Sequence, residues 1–163
     1  MINPWLDLEV LVLLAAANGA PVLAKKLLGP RYSRPLDAGR TFWDGHRLLG
    51  DSKTIRGIVF SLLATPCCSI SLGLGLSIGL IASVGAMLGD LFSSFVKRRL
   101  GRPPSSQAFG LDQIPESFLP ALLLVRPVGL TLGDVCLIVV AFIAGELVLS
   151  RILFRWHIRD EPY

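Results

Sequence analysis

The sequence predicts an all-α integral membrane protein with about five transmembrane helices. The first reason is composition: 52% of the 163 residues are hydrophobic and 17% are charged, whereas soluble proteins carry about 25% charged residues. The second is that residues 57–89 carry no formal charge. An apolar run longer than about 18 residues indicates a membrane-spanning segment, because it matches a hydrocarbon layer of about 30 Å. We therefore expect residues 1–163 to form one polytopic membrane domain.

Five apolar segments are the expected spans. In chain order they lie at about 5–28, 54–71, 75–96, 114–125 and 130–153. The uncharged run holds most of two of them, since its 33 residues would extend about 50 Å as a single helix, far beyond the hydrocarbon layer. Four glycines in this stretch allow close helix packing. They are Gly73, Gly75, Gly79 and Gly85.

Two spans contain proline. In the first, the apolar run is interrupted by Asn18-Gly19-Ala20-Pro21, and a proline kinks a helix because it removes a backbone hydrogen bond. In a membrane such a kink is tolerated where the loosened backbone faces protein or a cavity, and both remain open. The fourth span is short and contains Pro120, so it either crosses fully or is re-entrant.

The basic residues predict the orientation. With five spans, 15 of the 16 Lys and Arg residues fall on one side, which holds the loops 29–53 and 97–113 and the C-terminal tail. The positive-inside rule makes this side cytoplasmic, in a multi-pass plasma-membrane protein with its N-terminus outside. With four spans, the tail would lie on the opposite side of the membrane from the basic loops. The arginines of the tail are Arg151, Arg155 and Arg159.

The first cytoplasmic loop contains a candidate phosphate-binding segment. It ends in Gly50-Asp51-Ser52-Lys53-Thr54-Ile55-Arg56-Gly57. Backbone N–H groups at the start of the next helix favour an anion, and Lys53 and Arg56 add positive charge. The P-loop pattern is absent. The alternative is that these charges contact lipid head groups or set the topology.

The end of the third span contains a polar stripe. Asp90, Ser94 and Lys97 share one helix face. Asp90 lies about 10 Å inside the membrane by helical rise, where an ionisable side chain is costly and indicates function. The alternative is that Asp90 simply pairs with a nearby Arg or Lys.

Asp112 follows the polar loop 101–110 and supplies a second carboxylate. Two acidic side chains, Asp90 and Asp112, in a basic site suggest Mg²⁺, which proteins bind through carboxylates together with substrate phosphates. His46 and His157 lack a metal-ligand arrangement and are expected at the surface or the membrane interface, with contact between His46 and a ligand of the basic loop as the alternative. Glu146 is expected to pair within the membrane, with a proton-carrying or metal-binding role as the alternative.

Together these motifs resemble those of the CDP-archaeol synthases and, more distantly, the CDP-diacylglycerol synthases. The pieces cover about residues 15–125, in order and spacing. They are Asn18-Gly19-Ala20-Pro21, Pro35-Leu36-Asp37-Ala38-Gly39-Arg40-Thr41-Phe42, Asp44-Gly45-His46-Arg47, Gly50 to Gly57 as quoted above, Gly85-Ala86-Met87-Leu88-Gly89-Asp90, Ser94-Phe95-Val96-Lys97-Arg98-Arg99 and Leu111-Asp112-Gln113.

The resemblance implies a cytidylyltransferase that uses CTP and Mg²⁺ to convert a lipid phosphate to a CDP-lipid and pyrophosphate, with the nucleotide site formed by the cytoplasmic loops. The lipid phosphate would attack the α-phosphorus of CTP, so no protein nucleophile is required. The expected partners are CTP, the lipid phosphate and the bilayer, with a homodimer reasonable and no nucleic acid. The implied roles are metal binding for Asp90 and Asp112, catalysis for Asp90, Asp112 and Lys97, and nucleotide or phosphate binding for Lys53, Thr54, Arg56, Gly57, Ser94 and Arg98.

One position departs from the family pattern. A second acidic residue usually stands three positions after the aspartate that matches Asp112, but here that position is Pro115, followed by Glu116. Either Glu116 replaces the missing carboxylate or the carboxylate is absent. The second case motivates the alternative of a non-catalytic homologue that binds anionic lipid or nucleotide. A small transporter is a third possibility, although no internal repeat supports it. Ether-linked and ester-linked lipids both remain open.

Overall fold

The computed structural model describes residues 3–104, 106 and 108–156, except for the side chain of Leu153. Within these ranges the chain forms five α-helices and no strand, with isolated bridges Pro35–Thr54 and Thr41–Arg47 in the first long loop. The helices are α1 (Pro4–Leu28), α2 (Ile55–Ser71), α3 (Leu76–Arg99), α4 (Gln113–Val128) and α5 (Leu132–Arg155). The predicted all-α architecture is confirmed.

The helices differ in their ability to cross a membrane. Among the described residues, three helices are long and apolar enough: α1, α3 and the part of α5 over Leu132–Ile152. The α2 helix is apolar but has 17 residues, and α4 has 16, about 24 Å by helical rise. The chain is therefore a membrane protein, and full crossing by α2 and α4 stays a prediction.

Local sequence accounts for where the helices start. Thr54 is the N-cap of α2, where its hydroxyl accepts a hydrogen bond from the backbone N–H of Gly57 at 3.1 Å. At the start of α5, Thr131 and Asp134 form a capping box: the Asp134 N–H donates to the Thr131 hydroxyl at 3.2 Å, and the Thr131 N–H donates to the Asp134 carboxylate at 2.7 Å.

The α3 helix is the centre of the packing, because three of its glycines each face a proline of a neighbouring helix. The pairs are Gly79 with Pro66 of α2, Gly85 with Pro120 of α4, and Gly89 with Pro115 of α4. A Cβ atom at Gly85 would lie 2.7 Å from the Cα atom of Pro120, and the other two positions are tighter still. The expected close packing at Gly79 and Gly85 is confirmed. Gly73 and Gly75 lie instead in the α2–α3 turn, with φ of 78° and 88°.

Two helices extend beyond the predicted spans. The α3 helix continues three residues beyond position 96, so Lys97, Arg98 and Arg99 form its last turn. Positive side chains are stabilising there because the C-terminus of a helix carries partial negative charge. The α4 helix continues through Pro127 to Val128 and ends at the left-handed Gly129, with φ of 76°. The α4 helix is thus one continuous segment.

The connections place all long loops at one end of the bundle. Short turns at 72–75 and 129–131 join α2 to α3 and α4 to α5. The long loops 29–54 and 100–112 lie at the opposite end, where Arg56 at the start of α2 donates to the backbone carbonyls of Gly29 (2.8 Å) and Arg31 (2.6 Å), just after α1. This end holds the candidate site.

Candidate active site

The loop between α1 and α2 is organised by the carboxylate of Asp37. This carboxylate accepts hydrogen bonds from the backbone N–H groups of Gly39 (3.1 Å), Leu49 (3.1 Å) and Gly50 (3.0 Å). It also accepts one from the guanidinium of Arg47 at 2.7 Å. One buried side chain therefore ties together two parts of the loop that are about ten residues apart.

These contacts keep Asp37 charged. Burial alone would raise the pKa of the Asp37 carboxyl, but the hydrogen bonds from Arg47 and from three backbone N–H groups outweigh burial and hold the pKa well below its usual range. The Arg47 guanidinium has a raised pKa for the matching reason, since it donates to Asp37 and Asp51.

Arg99 fixes the loop onto the end of α3. Its guanidinium lies 4.8 Å from the ring centroids of both Phe42 and Phe95, an arrangement typical of cation–π contact. It also pairs with Asp44 at 2.8 Å and donates to the backbone carbonyl of Arg47 at 2.6 Å. The loop and α3 thus have a defined relative position, which brings Lys53 to Asp90.

A cavity of about 580 Å³ opens at this end of the bundle, and we refer to it as the central cavity. All five helices and the two long loops contribute to its wall. Six of the residues predicted from the sequence border it. They are Lys53, Thr54, Gly57, Asp90, Lys97 and Asp112.

The four charged members of this set form two ion pairs. The ammonium nitrogen of Lys53 lies 2.5 Å from a carboxylate oxygen of Asp90, although the residues are 37 positions apart. The ammonium nitrogen of Lys97 lies 2.7 Å from a carboxylate oxygen of Asp112. Asp90 thus pairs with a lysine, as expected if its role were only to form an ion pair. That lysine, however, is Lys53, which the sequence predicts to bind phosphate.

Lys53 is surrounded by negative charge. Burial alone would lower the pKa of its ammonium group, but Asp90, Glu116 and Asp112 together outweigh burial and raise the pKa above its ordinary value of 10.5. Lys53 is therefore charged at neutral pH, next to three acidic side chains that border the same cavity.

Three other predicted residues lie outside the cavity wall. Arg56 donates to the carbonyls after α1, and Arg98 donates to the carbonyl of Pro103 at 2.8 Å. Ser94 is buried. In the structure both arginines donate hydrogen bonds to backbone carbonyls of the loops. The roles of these three residues in phosphate binding stay predictions.

The remaining polar residues are placed as follows. His46 is exposed, and its ring does not border the cavity, whereas Glu146 of α5 does. His157 and Arg159 lie outside the described residues.

Glu116 borders the same cavity as Asp90. The reason is helical rotation: Pro115 packs against Gly89 of α3, so the following residue, about 100° further around α4, faces the cavity. The structure therefore places the Glu116 side chain at the cavity wall, and its replacement of the missing carboxylate stays a prediction.

The acidic side chains fit a magnesium ion that also binds substrate. Asp90 and Asp112 border one cavity with Glu116 beside them, and carboxylate oxygens are the protein ligands that Mg²⁺ prefers. The described residues contain no group of three His, Cys, Asp or Glu side chains arranged to hold a metal by themselves. In the usual magnesium site, one or two carboxylates act together with substrate phosphates.

Three residues that shape the loop and the cavity had no site role assigned from the sequence. Asp37 has a local signal that could have found it, since an aspartate two positions before a glycine is typical of an Asx-turn, and its carboxylate does accept from Gly39. Asn18 and Pro21 of α1 border the cavity, while Pro21 also packs on Gly57 of α2. The segment around Pro21 therefore faces both a neighbouring helix and the cavity, and the α1 helix remains unbroken.

The fold and the site define a class of protein: a helical membrane protein with lysines and carboxylates gathered in a cavity at one end of its bundle. Within that class, the chain belongs to the CDP-archaeol synthase family. The family model, described as CarS-like CDP-archaeol synthase, matches residues 8–71 and 67–163. The resemblance found in the motifs is confirmed, and the chain is a member of an enzyme family.

Several relatives support this membership. The CDP-archaeol synthase of Sulfolobus acidocaldarius is 32% identical over 169 residues, which cover 100% of both chains. Those of Hyperthermus butylicus and Pyrococcus furiosus are 36% and 39% identical, over 70% and 60% of this chain. The matched region spans 60% of the Pyrococcus furiosus protein.

A solved structure of an intramembrane enzyme for archaeal membrane lipid biosynthesis has the same architecture. It superposes with a TM-score of 0.69 at 27% sequence identity, covering 85% of this chain and 91% of the other. The membrane-embedded fold is therefore shared with a known enzyme.

Proposed function

We propose that this protein transfers the cytidylyl group of CTP to the phosphate of a membrane lipid, giving a CDP-activated lipid and pyrophosphate. The lipid is proposed to be archaetidic acid, since the relatives are CDP-archaeol synthases. Phosphatidic acid is the alternative acceptor. The site is proposed to face the cytoplasm at the plasma membrane, because the positive-inside rule places the basic loops on that side.

The observation that carries this proposal is the pairing of lysines with carboxylates around one cavity that continues into the bundle. Lys53 and Lys97 supply positive charge for phosphates, and Asp90 and Asp112 balance it. The same cavity extends along α1 and α5, between apolar side chains such as Leu11 and Phe142. A charged nucleotide and an apolar lipid can therefore meet at a single place.

The side chains act by binding and by screening charge. Lys53 and Lys97 bind phosphate oxygens and stabilise the negative charge that develops when the lipid phosphate attacks the α-phosphorus. The Thr54 hydroxyl is held by the N–H of Gly57 and orients the start of α2 at the cavity wall. Holding both reactants in line supplies most of the remaining rate enhancement.

Asp90 and Asp112, with Glu116 beside them, are the residues that would hold Mg²⁺. When bound, the ion would neutralise phosphate charge and polarise the reacting phosphoryl group.

A transfer assay with radiolabelled CTP tests the proposal. We expect purified protein with Mg²⁺ and archaetidic acid to form a labelled CDP-lipid, and phosphatidic acid in a parallel arm measures the preference between lipids. Asp90→Asn should lower kcat/KM by about 10²–10³-fold, because it removes a proposed ligand of the ion that neutralises charge in the transition state. Asp134→Asn, at the other end of the bundle, is the matched control and should retain activity.

Full activity of the Asp90→Asn variant would remove Asp90 from the proposed metal site. Measurable CTP binding without transfer to either lipid would favour the non-catalytic homologue instead.

A further inference from the structure

The first long loop contains a tight turn over residues 41–47, which we name the aromatic turn. The backbone N–H of Phe42 donates to the carbonyl of His46 at 2.8 Å, and the N–H of Gly45 donates to the carbonyl of Phe42 at 3.0 Å. Trp43 therefore lies at the corner of the turn, where it is 97% exposed. Turn corners usually carry small or polar residues, so a tryptophan at this position is unusual.

Arg99 of α3 holds the aromatic turn in place. Its guanidinium lies over the rings of Phe42 and Phe95 and donates to the backbone carbonyl of His46 at 3.2 Å. The rings of Phe42 and Trp43 are stacked, with their centroids 5.5 Å apart. The exposure of Trp43 is therefore a fixed feature of the loop.

The aromatic turn lies at the end of an apolar stripe on α3. Five apolar side chains of α3, spaced four residues apart, are exposed and share one side of the helix. They are Leu76, Leu80, Val84, Leu88 and Phe92. Because α3 is long and apolar enough to span the membrane, we take this stripe as its lipid-facing side. Phe95 and Arg99, which contact the turn, follow Phe92 at positions i+3 and i+7 on the same side. The turn thus lies beside the point where the apolar stripe gives way to charged residues.

Trp43 has the environment that tryptophan prefers in membrane proteins. Tryptophan is enriched at the boundary between hydrocarbon and water, because the indole ring combines apolar surface with an N–H group that donates a hydrogen bond. The chain has three tryptophans. The other two, Trp5 in the first turn of α1 and Trp156 directly after α5, are also exposed. Each tryptophan therefore lies beside one end of a helix that is long enough to span the membrane.

A crevice of about 480 Å³ beside the turn has the same mixed character. Leu36 and Leu49 of the loop and Phe95 of α3 form apolar parts of its wall, and the exposed Arg40 also borders it. Apolar surface next to an arginine is complementary to the head-group layer of a bilayer, where lipid phosphates lie above hydrocarbon. Residues 41–47 are all described, and none of them borders the central cavity. A nucleotide in that cavity therefore does not explain the exposed indole ring.

We propose that the aromatic turn is a membrane contact, in which Trp43 inserts into the head-group layer of the bilayer beside the end of α3. The partner is the lipid surface, because the turn continues the lipid-facing stripe of α3. The contact fixes the loop that contains Asp37 and leads to Lys53 at the depth of the lipid phosphates. This inference does not depend on the reaction that the central cavity performs.

Fluorescence from a single tryptophan tests the contact. The variant Trp5→Phe/Trp156→Phe retains Trp43, and in nanodiscs of phosphatidylcholine and phosphatidylglycerol we expect its emission at a shorter wavelength than that of tryptophan in water. Lipids brominated near the glycerol end of the chain should quench this emission more strongly than lipids brominated near the chain end. Iodide in the aqueous phase should quench it only in part. The matched variant Trp43→Phe/Trp156→Phe retains Trp5, which serves as the reference for a ring at the interface.

Three results would overturn the proposal. Full quenching by iodide, without quenching by brominated lipids, would leave Trp43 in water. Emission at a short wavelength without quenching by brominated lipids would show that protein covers the ring, as in a contact between two copies of the chain. Emission that shifts only when CTP is added, again without quenching by brominated lipids, would assign the ring to nucleotide binding.

Hydrogen exchange measures what the contact contributes to the loop. In nanodiscs, Trp43→Ser should speed exchange of the Phe42 and Gly45 amides about tenfold, since withdrawing about 60 Å² of apolar surface changes the equilibrium for local opening by about that factor. Trp43→Tyr should behave like the parent, because tyrosine also favours the interface and can stack on Phe42. In lipid-free amphipol, the difference between Trp43→Ser and the parent should shrink. An equal difference in both media would show that the stack on Phe42 accounts for the effect, and it would overturn the contact with lipid.

Discussion

The carboxylate of Asp37 contacts residues near it in the sequence and residues ten or more positions away. Its carboxylate meets three backbone N–H groups and one guanidinium, and the residue after it, Ala38, takes a left-handed conformation with φ of 47°. Such a conformation is uncommon for alanine and persists where surrounding contacts hold it. Asp37 is thus the anchor of the loop that leads to Lys53.

Replacing Asp37 with asparagine should destabilise the protein by about 2 kcal/mol, because it removes a charged acceptor from buried donors. Asp51→Asn is the matched control: Asp51 pairs with the same Arg47 at 2.9 Å, but its side chain is 69% exposed, and exposed pairs contribute about 0–1 kcal/mol. Thermal unfolding in detergent measures both variants.

The lowered pKa of Asp37 also predicts a pH dependence. Its contribution to stability is complete above the unfolded-state pKa of about 3.9 and is lost as the pH falls from there through the lower pKa of the folded state. The stability difference between parent and Asp37→Asn should therefore be constant near neutral pH and shrink below about pH 4. A difference that grows on acidification would contradict the role of the carboxylate.

At the scale of elements, the glycine face of α3 determines how closely α2 and α4 approach. Gly85 and Gly89 both contact prolines of α4, and this contact sets which α4 residues face the cavity. The same helix carries Asp90 and Lys97. Helix packing and the geometry of the candidate site are therefore linked through one helix.

Gly85→Ala should destabilise the protein by about 1–3 kcal/mol, the usual cost of overpacking, because the added Cβ atom would lie 2.7 Å from Pro120. Gly133→Ala is a suitable control, since its Cβ atom would meet Thr131 at an ordinary 3.5 Å. Unfolding temperatures in detergent compare the two, and equal stability of both variants would show that α4 can shift without cost.

For the whole molecule, the notable feature is that each expected metal ligand is paired with an expected phosphate ligand. Lys53 holds Asp90 and Lys97 holds Asp112. A cation that binds these carboxylates must displace the lysines, and a triphosphate offers the lysines new partners. Binding of cation and nucleotide should therefore favour each other.

We expect the affinity for Mn²⁺, used as a spectroscopic substitute for Mg²⁺, to rise about 5–150-fold when CTP is present, the usual range of coupling between two ligands. Lys53→Met should raise Mn²⁺ affinity without nucleotide, weaken CTP binding and reduce the coupling. Lys26→Met, at the same end of the bundle but outside the cavity wall, should behave like the parent. Equal Mn²⁺ affinity of the parent with and without CTP would contradict the exchange of partners.

Much of the candidate site was predictable because its signals are local. Asp90 stands out as an acid in an apolar helix, and Lys53 and Thr54 stand out at a helix start. The two arginines were harder to interpret, since Arg56 and Arg98 carry the same charge as a phosphate ligand but donate to backbone carbonyls. Charge alone does not distinguish these two uses.

The sequence by itself determined the helical membrane fold, the shared end of the basic loops and four charged residues of the site. It did so because the thickness of hydrocarbon and the cost of charge within it act on each segment separately. Only the tertiary structure decided that Lys53 meets Asp90, that Glu116 faces the cavity, and that Gly145 borders open space while Gly85 is packed. These outcomes depend on how α1, α3, α4 and α5 pack around one another, and such packing brings together residues that no local pattern relates.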